Sequence, residues 1–368
     1  MRIIKKLFQK AYSTYLRIRF NLPAGSARMT AISFLKDYRN KKLPFREIRK
    51  IHRRGFLVTD WCLMGLTEDN YKNYMNNVDY FRLHPINGIY SNWIDDKLTL
   101  KYLCAGTALD AYMPEYYYQI DQNGRVLCLM DVPVRKHTAS ARDVAAQLKE
   151  KGTLAIKQVA GSIGSGFYKG EYRDGTYYLN GKAMTEQEFC KCIGNLRNYL
   201  VIEYLRPHEA IAAYCPDTVN CIRYLAGRVD GKPKLLKGYI RFGTKRSGFV
   251  ENYNAGGVLC YLDETGRFLH GNVMSENGLS NCQINTHPDS GTELTGTIPM
   301  WDEILKAVDA FSLHFPQLNY MGLDFVVTLD NKVKVLEINS LTSLDGIQLD
   351  GPVFASNSAG FYKGLLGK

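Results

Sequence analysis

Polar and apolar residues along this chain follow two periods, and the period changes near residue 115. The first part is helical in spacing. In MRIIKKLFQKAYSTYLRIRF, Ile3, Ile4, Leu7, Phe8, Ala11, Tyr12, Tyr15 and Leu16 recur at i, i+3, i+4 and i+7, while Arg2, Lys5, Lys6, Lys10 and Arg17 fall mostly on the other side. Residues 29–80 read as mostly helical, with one segment starting at Pro44 and another at Thr67-Glu68-Asp69, and WIDDKLTLKYLCA (93–105) predicts a further short helix. Beyond 115, hairpins mix with helices. Asn123-Gly124, Asp174-Gly175 and Asp230-Gly231 are turn pairs between apolar arms, and Thr265-Gly266 marks another turn. SARDVAAQLKEKG predicts a helix ending at Gly152, Thr185 with Glu188 forms a capping box ahead of EFCKCIGNL, and a helix is expected over about 299–315. No βαβ unit repeats, so the pattern is α+β.

GLDFVVTLDNKVKVLEINS, residues 322–340, reads as a strand–turn–strand with carboxylates in its apolar arms. With Asp330-Asn331 as a two-residue turn, Leu329 lies opposite Lys332 and Asp324 lies opposite Glu337. Strand alternation puts Asn339 on the face of Glu337 and assigns Phe325, Leu336 and Ile338 to the core. Directly opposed carboxylates repel, and a hard divalent cation would relieve that repulsion. The expectation for metal-free protein is therefore that neutralising either acid leaves stability unchanged or raises it. The competing structural reading is a hairpin with exposed carboxylates, or one with a slipped register.

Composition is globular: 368 residues with 45% apolar and 23% charged side chains. No apolar run approaches the roughly 20 residues of a membrane span, and no signal-peptide pattern is present. The nine cysteines are odd in number, scattered and without a CxxC pair, which reads as reduced thiols and a cytoplasmic location. The seven histidines have no zinc-site spacing. The net charge of +11 is concentrated at one end: residues 1–60 hold 16 Lys/Arg against 3 Asp/Glu. The rest is near neutral, which argues against a nucleic-acid groove. The basic amphipathic segment, residues 1–20, has two readings, a helix lying in an anionic membrane surface or one packed on protein.

Two further stretches carry chemistry. Lys157 ends a predicted strand that runs into Gly161-Ser162-Ile163-Gly164-Ser165-Gly166, a loop whose backbone amides suit phosphate oxygens. It lacks the Gly-Lys-Ser/Thr of a Walker A loop, and no kinase HRD or DFG occurs. VIEYLRPHE (201–209) brings an apolar strand into Glu203, Leu205 and Glu209, an edge suited to an adenine ring and ribose hydroxyls.

In order, Asp96-Lys97, the strand lysine with its glycine loop, the 201–209 edge and the Asp-to-Glu-x-Asn hairpin resemble the ATP-grasp superfamily over about residues 90–350. NWIDDKLTLKYLC, YCPDTVNCIRYLAGR, VENYNAGGV and SLTSLDGIQLDGP look like its sugar-transfer-associated and teichuronopeptide-biosynthesis-like members, which occur with genes for bacterial surface polysaccharides. The resemblance implies an ATP-grasp fold, two α+β lobes gripping ATP, behind a mainly helical N-terminal region. Its implied divisions are 1–28, 29–110, a small lobe at 111–200 and a large lobe at 201–368. It further implies that Lys97 and Lys157 contact ATP phosphates and that Gly161, Ser162, Gly164, Ser165 and Gly166 close over them. Glu203 and Leu205 would line the adenine site, and Glu209 would meet the ribose. Asp324, Glu337 and Asn339 would hold Mg²⁺ or Mn²⁺, and Arg223 and Arg241 would steady a transferred phosphoryl group or a carboxylate. Glu251-Asn252 departs from the Asp-Asn that many relatives carry before the NAGG-like loop. The implied activity is ATP-dependent carboxylate–amine ligation through an acyl phosphate, joining a carboxylate such as a uronic acid to an amino acid or amine. A kinase on the same fold and a non-catalytic nucleotide-binding module of a polysaccharide assembly are the alternatives.

Overall fold

The computed structural model describes residues 2–133, 138–160 and 166–367, with side chains from residue 6. Its N-terminal part is helical. α1 (Arg2–Phe20) packs on α2 (Ala24–Asn40) through Leu16, Ala27, Ala31 and Phe34, with Tyr12 and Phe20 half-buried at the seam. α3 (Phe45–Arg53), α4 (Val58–Leu63) and α5 (Asn77–Leu83) follow and share a core through Ile48, Phe56 and Tyr80. The apolar face expected of α1 is divided in two. Leu16 is 1% exposed, whereas Leu7, Phe8, Tyr15 and Ile18 are 53–78% exposed, because α2 covers one side of the helix only. α2 already begins at Ala24, so the expected boundary after residue 28 falls inside it. Among the described residues no helix is long and apolar enough to cross a membrane.

The single helix expected over 93–105 is two, α6 (Asn92–Asp95) and α7 (Lys97–Cys104). Asp96 between them is extended (φ −95°, ψ 111°), and its side chain accepts from the Thr99 amide at 2.7 Å. A capping side chain satisfies an amide that has no partner in its own helix, so the break starts a new helix at Lys97.

Two antiparallel seven-stranded sheets make up the rest among the described residues. The first contains β1 (Tyr116–Ile120), β2 (Val126–Cys128), β3 (Thr153–Gln158), β4 (Tyr168–Arg173), β5 (Thr176–Leu179), β6 (Lys182–Met184) and β7 (Tyr199–Glu203), in spatial order 2-1-7-3-4-5-6. One of its faces buries Leu154, Ile156 and Val201 against α8 (Ala141–Lys151) and α9 (Glu186–Gly194). Both helices start in capping boxes, Ser140 with Asp143 and Thr185 with Glu188. β7 ends at Glu203 within this sheet, so the expected lobe boundary after residue 200 cuts the strand.

After the single-turn α10 (Glu209–Ala212) come β8 (Ile222–Val229), β9 (Lys232–Phe242) and β10 (Val258–Leu262). β11 (Arg267–Phe268) pairs with β14 (Gly296–Thr297) in a short ribbon, and β12 (Gly271–Met274) pairs with β13 (Asn281–Ile284). α11 (Trp301–His314), β15 (Tyr320–Val327) and β16 (Val333–Asn339) follow. The second sheet runs 13-12-10-9-8-15-16. α12 (Leu344–Gln348) and α13 (Ala359–Leu366) return to the N-terminal helices. Ile222, Tyr224, Ile240, Leu323 and Phe325 pack on Ile304, Val308 and Phe311 of α11.

The β15–β16 hairpin reaches the expected pairing by a different route. Its loop has three residues, because Thr328 pairs with Lys332: the Thr328 amide donates to the Lys332 carbonyl at 2.8 Å, and the Lys332 amide donates to the Thr328 hydroxyl at 3.1 Å. Only Asn331 takes a positive φ (57°), whereas the expected two-residue turn needs it at both central positions. The register is then one residue off as far as Phe325–Val335, and a bulge at Leu336 restores Asp324 opposite Glu337. The bulge also turns Leu336 onto the cavity described below, away from the core expected for it.

Gly257 lies against this second sheet's loop. A Cβ there would collide with the backbone carbonyl of Glu251, whereas one on Gly364 in α13 would meet nothing within 4 Å. Gly257→Ala is expected to lower the unfolding free energy by about 2 kcal/mol, and Gly364→Ala to raise it by about 0.5–1 kcal/mol, in denaturant titrations.

Candidate active site

Strand alternation gives each sheet a second face, and the two second faces line one cavity of about 590 Å³. On the second sheet the cross-strand pairs run Glu337–Asp324, Asp324–Arg223, Arg223–Tyr239 and Tyr239–Tyr261. Five strands thus carry a row of two acids, an arginine and two tyrosines. Each arm of the row is fixed from behind by the apolar neighbours on α11.

Within the row the carboxylates are already paired. Arg223 holds Asp324 with Nε to Oδ1 and with Nη2 to Oδ2 at 2.7 Å, and its Nη1 donates to Thr342 Oγ1 at 3.2 Å. Arg241, two residues beyond Tyr239 on the same face of β9, donates to Asp324 Oδ2 at 3.2 Å and to Asn252 Oδ1 at 3.1 Å, and lies 3.5 Å from Glu251 Oε1. Lys97 Nζ is 3.0 Å from Glu337 Oε2, and Asn339 Nδ2 donates to Glu337 Oε1 at 3.3 Å. Burial works against the Asp324 charge, but the two guanidinium groups outweigh it and hold the carboxyl below its usual range. Burial likewise opposes the Glu337 charge, and Lys97 outweighs it. Burial, then Lys97, pushes Lys157 down to about 8. Burial also raises the Glu251 carboxyl.

The first sheet supplies the facing wall. Ala155, Lys157 and Ile202 alternate away from α8 and α9, and Lys157 Nζ reaches across to donate to the Leu336 carbonyl at 3.1 Å. Glu203 and Leu205 line the cavity, and the Glu203 side chain accepts from the Glu115 amide at 3.1 Å. Gly166 enters β4 with φ +73°, and a Cβ on it would sit 2.6 Å from the Tyr199 hydroxyl. Gly161, Ser162, Gly164 and Ser165 lie outside the described residues. Glu209 stands exposed in the first turn of α10 and is not part of the cavity wall. The structure therefore brings Lys97, Lys157, Glu203, Leu205, Arg223, Arg241, Asp324, Glu337 and Asn339 to one cavity.

A third wall joins segments far apart in the chain. Leu57, Thr59, Asp60, Asn77, Tyr80 and Phe81 of the N-terminal helices line the cavity, as do Thr342 to Gly346 beside α12. Asp345 lies in the SLTSLDGIQLDGP motif, whereas Asp60, 285 positions away, belongs to no local motif and had no signal in the sequence. Asp95, in the segment expected to be helical, accepts from the Ser340 amide at 2.9 Å and its hydroxyl at 2.6 Å and so pins the end of β16 beside Asn339.

Two carboxylates and an amide oxygen on neighbouring strands are hard donors, and their chemistry fits Mg²⁺ or Mn²⁺. Among the described residues no three His, Cys, Asp or Glu side chains form a metal cluster, so such an ion would complete its shell with phosphate oxygens and water. Asp324 offers the ion a carboxylate already bonded to two guanidinium groups.

That pairing reverses the stability expected of metal-free variants. Without Asp324, Arg223 and Arg241 are left in a buried site short of counter-charge, and breaking such a pair costs more than relieving two opposed acids returns. Asp324→Asn is expected to lower the metal-free unfolding free energy at pH 7 by about 3–5 kcal/mol in urea titrations. Because the folded Asp324 pKa is depressed, its contribution is complete above about pH 4 and is lost on acidification below it, so the deficit shrinks in acid.

No curated protein matches the chain. Solved structures similar to it include D-alanyl-alanine synthetase A from Vibrio cholerae O1 (13% identity, TM-score 0.43, 75% of this chain and 65% of that one). Another is D-alanine–D-alanine ligase from Bacillus anthracis (16%, 0.37, 76% and 67%). A third is the ATP-grasp ligase PsnB with a phosphomimetic variant of its minimal precursor, Mg and ADP (11%, 0.40, 91% and 72%). The chain spans 65% of the length of that D-alanyl-alanine synthetase A, 46% of an N5-carboxyaminoimidazole ribonucleotide synthetase and 63% of PsnB with its minimal precursor. The family described as sugar-transfer associated ATP-grasp matches residues 77–358, which include both sheets and the whole charged row. The chain belongs to the sugar-transfer associated ATP-grasp family.

Proposed function

We propose that the protein is an ATP-dependent carboxylate–amine ligase acting through an acyl phosphate. The observation that carries this reading is the convergence of Lys97, Lys157, Arg223 and Arg241 with Asp324 and Glu337 in one cavity. Its volume lies within the range of small-molecule sites. A substrate carboxylate oxygen attacks the γ-phosphorus of ATP and ADP leaves. The amine, once it has given up its ammonium proton, then bonds through nitrogen to the acyl carbon as the carbon–oxygen bond to phosphate breaks, and the remaining excess proton on nitrogen leaves with the phosphate. The chain's share is to hold the phosphate tail by Lys97 and Lys157, to meet charge on the transferred group with Arg223 and Arg241, and to exclude water from the acyl phosphate. Mg²⁺ or Mn²⁺, held by Glu337, Asn339 and Asp324, would neutralise phosphate charge. The motifs shared with proteins of surface-polysaccharide loci favour a uronic acid as carboxylate and an amino acid as amine, in the making of a bacterial capsule or related glycan.

With both substrates present, ADP and inorganic phosphate are expected in equal amounts, and neither forms when the carboxylate or the amine is left out. Hydroxylamine in place of the amine should trap the carboxylate as a hydroxamate. AMP and pyrophosphate as products, or a stable phosphorylated product with no need for an amine, would overturn the ligase reading; the second is what a kinase gives.

The reading extends to where the protein works. The outward face of α1 carries Leu7, Phe8, Tyr15 and Ile18 and is flanked by Lys6, Lys10, Arg17 and Arg19, and the helix has no acid. This chemistry suits the anionic inner face of a cell membrane, where a membrane-bound glycan would be modified. The full chain should bind vesicles of phosphatidylcholine with phosphatidylglycerol, and less so as salt rises. Leu7→Gln with Ile18→Gln should weaken binding at least fivefold and leave ATP turnover unchanged, since Leu16 keeps α1 on α2. Equal binding by that variant, or none by the full chain at low salt, would give α1 to a protein partner.

A further inference from the structure

The cavity wall built by the N-terminal helices holds two carboxylates that no cation serves. Asp60 lies in the first turn of α4 and Asp345 in the first turn of α12, and neither forms an ion pair among the described residues. Asp60 accepts from the Asn77 amide group, and Asp345 Oδ1 accepts from the Gly346 amide at 2.9 Å. Asp345 is only 7% exposed. Buried acids in folded proteins are normally paired or bound to a cation, because an uncompensated charge is costly away from water. Burial, and then the neighbouring Asp345, pushes the Asp60 carboxyl up to about 7.

A second observation comes from another element. Tyr239 of β9, 3% exposed, lines the same cavity, and its hydroxyl makes no hydrogen bond among the described residues. Its hydroxyl lies at Gly346, where a Cβ would stand 2.7 Å from it. On its other side it is the cross-strand neighbour of Arg223. The cavity is thus bipolar: guanidinium groups on β8 and β9, carboxylates on α4 and α12, and an unused hydroxyl between them. Asp60 falls outside the residues matched by the family, and Asp345 and Tyr239 lie within them.

We infer that Asp60, Asp345 and Tyr239 form the subsite for the ammonium group of the amine substrate, which is therefore a primary amine that binds in its charged form. A primary ammonium presents three N–H donors, and the two carboxylates and the phenol oxygen supply three acceptors. Charge-assisted bonds in a partly buried site favour such an ion over a neutral alcohol or amide of the same shape. This rests on the ligase reading for the identity of the amine as a reactant; the ammonium site itself does not.

The test uses the full chain with ADP and Mg²⁺. The twenty amino acids and ethanolamine are each paired with their N-acetylated forms, and binding is read by melting midpoint and calorimetry. At least one free amine should bind, and its acetylated form should not. Asp60→Asn and Asp345→Asn should each raise the dissociation constant for that amine at least tenfold, and Tyr239→Phe about threefold. Affinity for ADP should stay within twofold, which also shows that each variant is folded. No response to any amine, an equal response to acetylated forms, or wild-type amine affinity in both acid variants would overturn the subsite. If charge-selective binding holds but no hydroxamate forms, the ligase reading falls and the subsite stands; hydroxamate formation without charge-selective binding gives the reverse.

Discussion

The buried cluster of Arg223, Asp324 and Arg241 sets the conditions for everything around it. Three charged side chains at the centre of a sheet lose most of their hydration, and such a group persists only where geometry supplies compensating bonds. Here the strands do so by register: Asp324 and Arg223 are direct cross-strand neighbours, and Arg241 reaches the same carboxylate from the next strand. The face behind them must then be apolar and well filled, which α11 achieves with Ile304, Val308 and Phe311. Any slip of β8 against β15 would move an arginine into that core and Ile222 or Tyr224 into the cavity.

The same cluster makes the cavity a place for anions. Four cationic groups, Lys97, Lys157, Arg223 and Arg241, face three carboxylates, Asp324, Glu337 and Glu251. Burial, and then Lys97, lowers the Lys157 pKa, while Glu337 and Asp324 oppose the shift. A polyphosphate in the proposed site would add counter-charge beside both lysines. The N-terminal helices complete the arrangement with the opposite sign. They line the cavity with Asp60 and Asn77 and share a core with α12 and with Leu225, Leu236 and Tyr320 of the second sheet, so the acidic wall packs directly on that sheet.

Much of the nucleotide-facing half was legible because its signals are local or short in range. Lys157 follows Ala155 at the strand period, so one face holds both. Asp324 and Glu337 sit on the two arms of one hairpin, and thirteen positions of chain are enough to predict that they meet. The details of that hairpin were not legible. A turn read as two residues is three, closed by the Thr328 hydroxyl, and the bulge at Leu336 cancels the error. The pairing was predicted correctly from a register that is wrong near the turn. The pairing of Asp324 with Arg223 and Arg241 was not legible for a related reason: the arginines come from strands about a hundred residues away.

By itself, then, the amino-acid sequence determined the elements, the alternation that assigns each strand two faces, the charge carried at the N-terminus and the order of motifs that marks an ATP-grasp chain. These depend on neighbours within a turn, a helix or a hairpin. Only the tertiary structure decided which charges pair, which side of α1 is left bare, and that Asp60 and Asp345 share a wall with Tyr239. Those outcomes depend on which segments are brought together by burial of apolar surface, a force that has no direction and so leaves no sign in the sequence of which face meets which.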